Sequence, residues 1–289
     1  MIITELTERG LLMNTKEILQ AALDLAGISE TPADSGVLVE GDSIKRLYMG
    51  VDVDTAELLL ARQLGADAVL AHHPAGGSTR VDFHNVMESQ IDHMVKAGVP
   101  INKAQKALKD KMGEVERRDH AGNYDRVVSA ARLLRMPLVG IHRPADILSE
   151  QLIQVHLEQK LGKNPKARLK HLLAALSELP EFQAAETKPA IRVGSEDDFT
   201  GKIWVAMAGG TNGGVKVIKA YFEAGIGTLV VMHMPEDVLK EVREQGIGNV
   251  VVAGHMASDS VGLNILAKAF AERGLEVIRG SGIVTPGAR

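Results

Sequence analysis

Apolar positions along the 289-residue chain follow two rhythms. Short unbroken runs bounded by glycine, proline or aspartate predict buried strands. Apolar residues recurring every three or four positions predict helices. On that basis strands are expected at 44–51, 68–71, 99–101, 137–141, 191–193, 202–207, 227–232, 249–253 and 275–279. A first helix is expected from a cap at Asn14 or Thr15 to about residue 26. Others are expected at 56–64, 86–96, 103–118, 125–134, 215–224, 236–245 and from Ala257-Ser258-Asp259 to 273. Residues 28–36 and 118–123 read as polar loops.

Strand and helix alternate through most of the chain, the pattern of helices packed on parallel sheets. The stretch 146–187 is the exception. It is charged, helical in period and without a strand, and it is broken at Asn164-Pro165. This divides the chain into an N-terminal α/β lobe over 1–145, a helical connector over 146–190 and a C-terminal α/β lobe over 191–289. The lobes share a pattern. Residues 46–52, a helix and residues 64–74 line up with residues 202–208, a glycine-rich turn and helix, and residues 224–235. Each half reads strand, turn, helix, glycine, strand and then a histidine two before a proline. The expected fold class is α/β: two similar lobes made by internal duplication, with layered sheets flanked by helices.

Hydrophobic residues make up 45% of the chain and charged residues 24%, a composition that supports an apolar core. A net charge of −4 argues against a protein that coats nucleic acid, and 3% aromatics argue against a stacking platform for single strands. With no cysteine, disulfides, thiolate catalysis, iron–sulfur clusters and cysteine zinc sites are excluded. Any ion must be held by histidine, aspartate, glutamate or backbone oxygen. No basic segment followed by an apolar core opens the chain, and no apolar run reaches spanning length. A cytoplasmic protein with no membrane partner is expected.

The expected chemistry sits at strand ends, where α/β proteins bind ligands. The strand at 68–71 ends on His72-His73-Pro74. Successive side chains on an extended chain point to opposite sides, so two adjacent imidazoles suit two neighbouring ions better than one. The competing reading is one core histidine and one solvated histidine. Past the strand at 249–253, His255 and Asp259 are four apart and share a helix face if the helix starts at His255. Equally, Ser258 could cap that helix, with Asp259 in its first turn. With Asp119, these residues make three imidazoles and two carboxylates, a donor mix suited to Zn, Mn, Fe or Ni. The turn at Gly209, Gly210 and Thr211 could receive an anion at a helix N-terminus, or could simply need positive φ. His120 and His233 fall at loop positions near the same cleft. His84, His93, His142, His156 and His171 have no second ligand at helical spacing and are assigned to core or surface.

Residues 65–74, residues 202–210 with the helix after them, and Gly254-His-Met-Ala-Ser-Asp259 together resemble the NIF-three-like family. Its members carry the names GTP cyclohydrolase 1 type 2 and dinuclear metal centre protein. The resemblance spans most of the chain except much of 146–187. It implies a two-lobed α/β fold, a two-metal site between the lobes and a homo-oligomer, often a toroidal hexamer. It would place the family's adjacent histidines at His72 and His73, its late histidine and bridging carboxylate at His255 and Asp259, and its mid-chain aspartate at Asp119. Three departures stand out. Asp259 replaces the usual glutamate, no His-Thr-x-x-Asp context precedes Asp119, and Ala-Gly-Gly-Ser follows Pro74 where the family tends to be apolar.

The expected function is a metal-dependent hydrolase. Two divalent ions in the cleft between the lobes would activate water on a small-molecule substrate, a nucleotide or cyclic amide. Gly209, Gly210, Thr211 and His233 would contact that substrate. The alternative is a non-catalytic oligomeric metal-binding scaffold or regulator.

Overall fold

Asn14 starts the first helix, α1 (Thr15–Ala26). Its side chain accepts from the Glu17 amide at 2.9 Å, and the Glu17 carboxylate accepts from the Asn14 amide at 2.8 Å. This reciprocal capping box satisfies donors that a helix start leaves open. The protein is described here by a computed structural model covering residues 12–287. After α1 come β1 (Gly36–Val39), β2 (Arg46–Gly50), α2 (Thr55–Gln63) and β3 (Ala68–Ala71). Next are α3 (Ser78–Val81), α4 (Phe83–Val86), α5 (Ser89–Ala97), α6 (Ile101–His120), α7 (Arg126–Leu134) and β4 (Leu138–Gly140). Three helices follow: α8 (Arg143–Leu161), α9 (Leu169–Leu176) and α10 (Pro180–Ala184). The chain ends with β5 (Ala190–Val193), β6 (Lys202–Val205), α11 (Val215–Glu223), β7 (Ile226–Val231), α12 (Glu236–Gln245), β8 (Asn249–Val252), α13 (His255–Glu272) and β9 (Glu276–Gly280).

These elements form two compact units from interleaved segments. The first takes the chain up to Phe83, then Asp119–Ala145 and Gly262–Ile283; the second takes His84–Arg118, Asp146–Val261 and the residues from Val284. The first unit holds a five-stranded sheet in the order β1-β4-β3-β2-β9, parallel except for β1 at its edge. Helices α2 and α7 pack together, and Tyr48, Leu58, Ala61, Val69, Val127, Ala131 and Leu138 form a core with them. Leu47, Met49, Leu70 and Val139, the alternate strand residues, are just as buried. Both faces of the sheet are therefore covered, as a parallel sheet requires. Each leucine so buried contributes roughly 2–3 kcal/mol.

The second unit holds a four-stranded sheet in the order β5-β8-β7-β6, again parallel except for its first strand. That is the order and direction of β1-β4-β3-β2, strand for strand. Helices α11 and α12 stand where α2 and α7 stand in the first unit and pack together in the same way. The duplication expected from the sequence is thus present in the topology. Strands β3 and β7 end at Ala71 and Val231, paired with Gly140 and Val252. His73 and His233 each lie two residues beyond.

The structure departs from the sequence expectations in several places. Residues 99–101 are not a strand: Pro100 leads into α6, with its carbonyl accepting from Lys103 and Ala104, and proline's fixed φ suits a helix start. Helix α6 runs on through Asp119 and His120 instead of ending in a loop before them. Strand β1, half-buried and only four residues long, lies in a stretch read as loop or left unassigned. Finally, β9 pairs with β2, and residues 84–118 join the second unit, so the units are not the contiguous lobes expected over 1–145 and 191–289. Pairing across such a separation leaves no local signal.

Candidate metal centre

In the first unit, β3 and β4 lie side by side and parallel, so their carboxyl ends deliver side chains to one place. His72 and His73 follow β3, and His142 follows β4. The His72 and His73 rings are 5.0 Å apart between centroids, and His142 lies 4.9 Å from His72 and 5.7 Å from His73. Strand alternation ends at Ala71, so the adjacent histidines do not point to opposite sides as strand geometry would have them. One donor nitrogen from each of the three rings falls within 4.8 Å of the others.

The surroundings decide which nitrogen each ring presents. His72 donates from Nδ1 to the Ile141 carbonyl at 3.1 Å. Nδ1 of His73 lies 2.7 Å from Asp52 Oδ1, and Nδ1 of His142 lies 2.7 Å from Asp34 Oδ2. All three Nδ1 atoms face oxygen acceptors, an arrangement that in a neutral ring puts the lone pair on Nε2. Metal-binding histidines are oriented in this way, by a carboxylate or carbonyl behind the ring. The donor chemistry therefore fits a divalent ion.

The second unit gathers its own donors. Gly254, at φ +109°, turns the chain out of β8 so that α13 can begin at His255. His255 Nε2 lies 3.3 Å from Asp259 Oδ2, one helical turn on, as the spacing of four predicts. Ser258 is not the helix cap: its hydroxyl donates back to the Gly254 carbonyl at 2.7 Å. The His233 ring lies 4.7 Å from that of His255 at a tilt of 48°, and Asp146 at the start of α8 brings a carboxylate oxygen within 4.8 Å of one of Asp259. Both aspartates are buried.

Asp119 is buried near the end of α6 but belongs to no group of three close donors among the described residues. His142 and Asp146 do, and the sequence reading passed over both. A signal was present: His142 and Asp146 are four apart between a strand and a helix, the same spacing that singled out His255 and Asp259.

The glycine turn between β6 and α11 is also in the second unit. Gly210, Gly213 and Gly214 all have positive φ, which explains the glycines. The amides of Gly213 and Gly214 donate to the Thr211 and Asn212 side chains, and those of Met207 and Ala208 donate to Glu150 at 2.8 and 2.9 Å. Gln90 on α5 donates to the carbonyls of Gly209 and Thr211. One turn along α5, His93 meets Glu150 Oε1 through Nε2 at 3.0 Å. The Trp204 indole, which can only donate, points at His93 Nδ1 from 3.3 Å. The proton therefore sits on Nε2, facing the carboxylate. Burial pushes the Glu150 carboxyl up, but His93 and the two amides outweigh it and hold the group below the ordinary range. The Tyr221 hydroxyl, 3.1 Å from His93 Nδ1, is pushed well above its usual range by burial and then by the Glu150 charge.

No family model and no curated protein matches the chain. Solved structures do. A NIF3 superfamily protein from Sphaerobacter thermophilus is 41% identical, with a TM-score of 0.91 over 93% of this chain and 98% of that one. Reduced HcgD from Methanocaldococcus jannaschii is 16% identical, with a TM-score of 0.60 over 93% of this chain and 98% of its own. TTHA1606 from Thermus thermophilus is 17% identical, with a TM-score of 0.56 over 96% and 100%. The last two likenesses show a shared fold. The first, at that identity over nearly the whole of both chains, shows kinship: this chain belongs to the NIF3 superfamily.

Proposed function

We propose that this protein is a metal-dependent hydrolase that holds two divalent ions, drawing on His72 and His73 of the first unit and on His255 and Asp259 of the second. The observation that carries this reading is the orientation of His72 and His73, whose Nδ1 atoms both face oxygen acceptors. In a neutral ring this leaves Nε2 as the donor atom. The close approach of His255 and Asp259 supports it. Divalent ions bound there would supply Lewis acidity, polarising a phosphoryl, carbonyl or ring carbon and making water more acidic. The protein's own part is to orient the imidazoles and to keep Asp259 buried beside His255. In this reading the turn at Gly209, Gly210 and Thr211 meets the substrate, together with His233 next to His255.

The test is elemental analysis of protein purified from metal-replete medium, followed by turnover assays on nucleotide, phosphoester and cyclic amide substrates. The expected result is about two ions per chain and metal-stimulated hydrolysis of one class, with metal lost in His72→Ala and His255→Ala. Metal-free wild-type protein would overturn the reading. Tightly bound metal with no turnover on any class would favour a non-catalytic metal-binding scaffold instead.

A further inference from the structure

Strand β6 ends the second sheet, yet its counterpart β2 does not end the first. Residues 46–50 line up with 202–206. On the side away from β3, β2 carries β9 in parallel, with Arg46 opposite Glu276 and Gly50 opposite Gly280. Among the described residues no strand takes that place beside β6. An edge of this kind presents unpaired N–H and C=O groups. Helix α8 covers only part of it. Glu150 and Gln154, one turn apart, accept from the amides of Met207, Ala208 and Val205 at 2.8 to 2.9 Å. Farther on, α8 ends at Leu161 and the chain turns, with the Asn164 amide donating to the Leu161 carbonyl. A cavity of about 290 Å³ opens there, between Leu157, Glu158 and Leu161 on one side and Lys202, Ile203 and Trp204 on the other.

The β6 wall of this cavity offers main-chain groups. Ala206 donates across the sheet to Val230, and Val205 donates away from it to Gln154. Alternation along the strand therefore turns the N–H and C=O of Ile203 to the open edge. The charge at this edge is repeated as well. In the first unit Arg46 meets Glu276 of β9 at 2.8 Å. Its counterpart Lys202 is exposed, and one of its three ammonium donors goes to the Ala97 carbonyl at 3.1 Å.

We propose that the open edge of β6 binds an extended segment of a partner protein, added parallel to β6 as β9 is added to β2, with an acidic residue at Lys202. Main-chain pairing with Ile203 supplies affinity, and the acid fixes register. A lysine at an edge also keeps other strands away, but that task needs no cavity beside Leu157, Leu161 and Trp204. The proposal is independent of the metal reading.

The probe is a capped peptide with the sequence of residues 275–281, Leu-Glu-Val-Ile-Arg-Gly-Ser, titrated into the full-length protein. Trp204 is the only tryptophan of the chain, so its fluorescence reports on the cavity. Its emission should change saturably, and hydrogen exchange at 202–205 should slow. A peptide with lysine in place of the glutamate should bind about fivefold more weakly. Lys202→Glu should reverse that order. Ile203→Pro, which removes an edge donor and spares the ladder to β7, should weaken the first peptide about fivefold. No saturable change in wild type, or a peptide order that Lys202→Glu leaves unmoved, overturns the proposal. So does protection at 202–205 that grows with protein concentration alone, which would put a second copy of the chain on this edge.

Discussion

His93 on α5 and Glu150 on α8 meet at 3.0 Å, and the same Glu150 carboxylate holds the two amides that lead from β6 into the glycine turn. Glu150 is thus the anion these amides serve. Its pKa is lowered in the folded protein from an ordinary value of 4.5. The unfolded chain therefore takes up this proton first as pH falls, and folded-state stability rises with pH across that range. Glu150 should stabilise fully above about pH 5, with the gain lost as pH falls through the depressed folded value. Melting temperatures from about pH 3 to pH 7 should fall more steeply on acidification for wild type than for Glu150→Gln. Parallel curves would show that the pair does not report on acid stability.

Gln90 donates to two carbonyls of the same turn, at 2.6 and 2.7 Å. Replacing it with alanine leaves both acceptors without that donor, at a cost of about 1–3 kcal/mol. Denaturant unfolding of Gln90→Ala should show the loss. Hydrogen exchange should quicken at residues 208–214 while the β2 and β3 amides stay protected.

Gly254 turns the chain into α13 at φ +109°. A side chain there would be strained, and its Cβ would sit 3.3 Å from the Thr187 hydroxyl. Gly254→Ala should cost roughly 1–3 kcal/mol. Because His255 is the next residue, the variant should also bind metal more weakly, as titration with zinc would reveal. Wild-type affinity in a destabilised Gly254→Ala protein would separate the turn from the metal donors.

Asp52 orients His73 from an exposed position, with its side chain 72% accessible. Asp52→Asn should leave the melting temperature nearly unchanged, since exposed pairs contribute little to stability. Metal affinity should nevertheless fall about tenfold, the lower end of what losing an orienting carboxylate costs. Scanning calorimetry checks the first statement and calorimetric titration with zinc the second.

Much of the fold could be read from local pattern. The run at 68–71 is apolar and bounded by turn residues, so burial makes it a strand wherever it lies. The spacing of His255 and Asp259 puts them on one helix face once the helix begins at His255, a start that the sequence left open. The repeated strand, helix and glycine order announced two equivalent sheets, because each half must bury the same faces. What local pattern could not hold was the pairing of distant segments. Asp34 reaches His142, β9 reaches β2, and α5 reaches the turn after β6 only because burial and hydrogen bonding are settled between elements once they pack. Asp34 is an unremarkable loop residue until packing removes it from water, and the imidazole beside it then becomes the partner its charge requires.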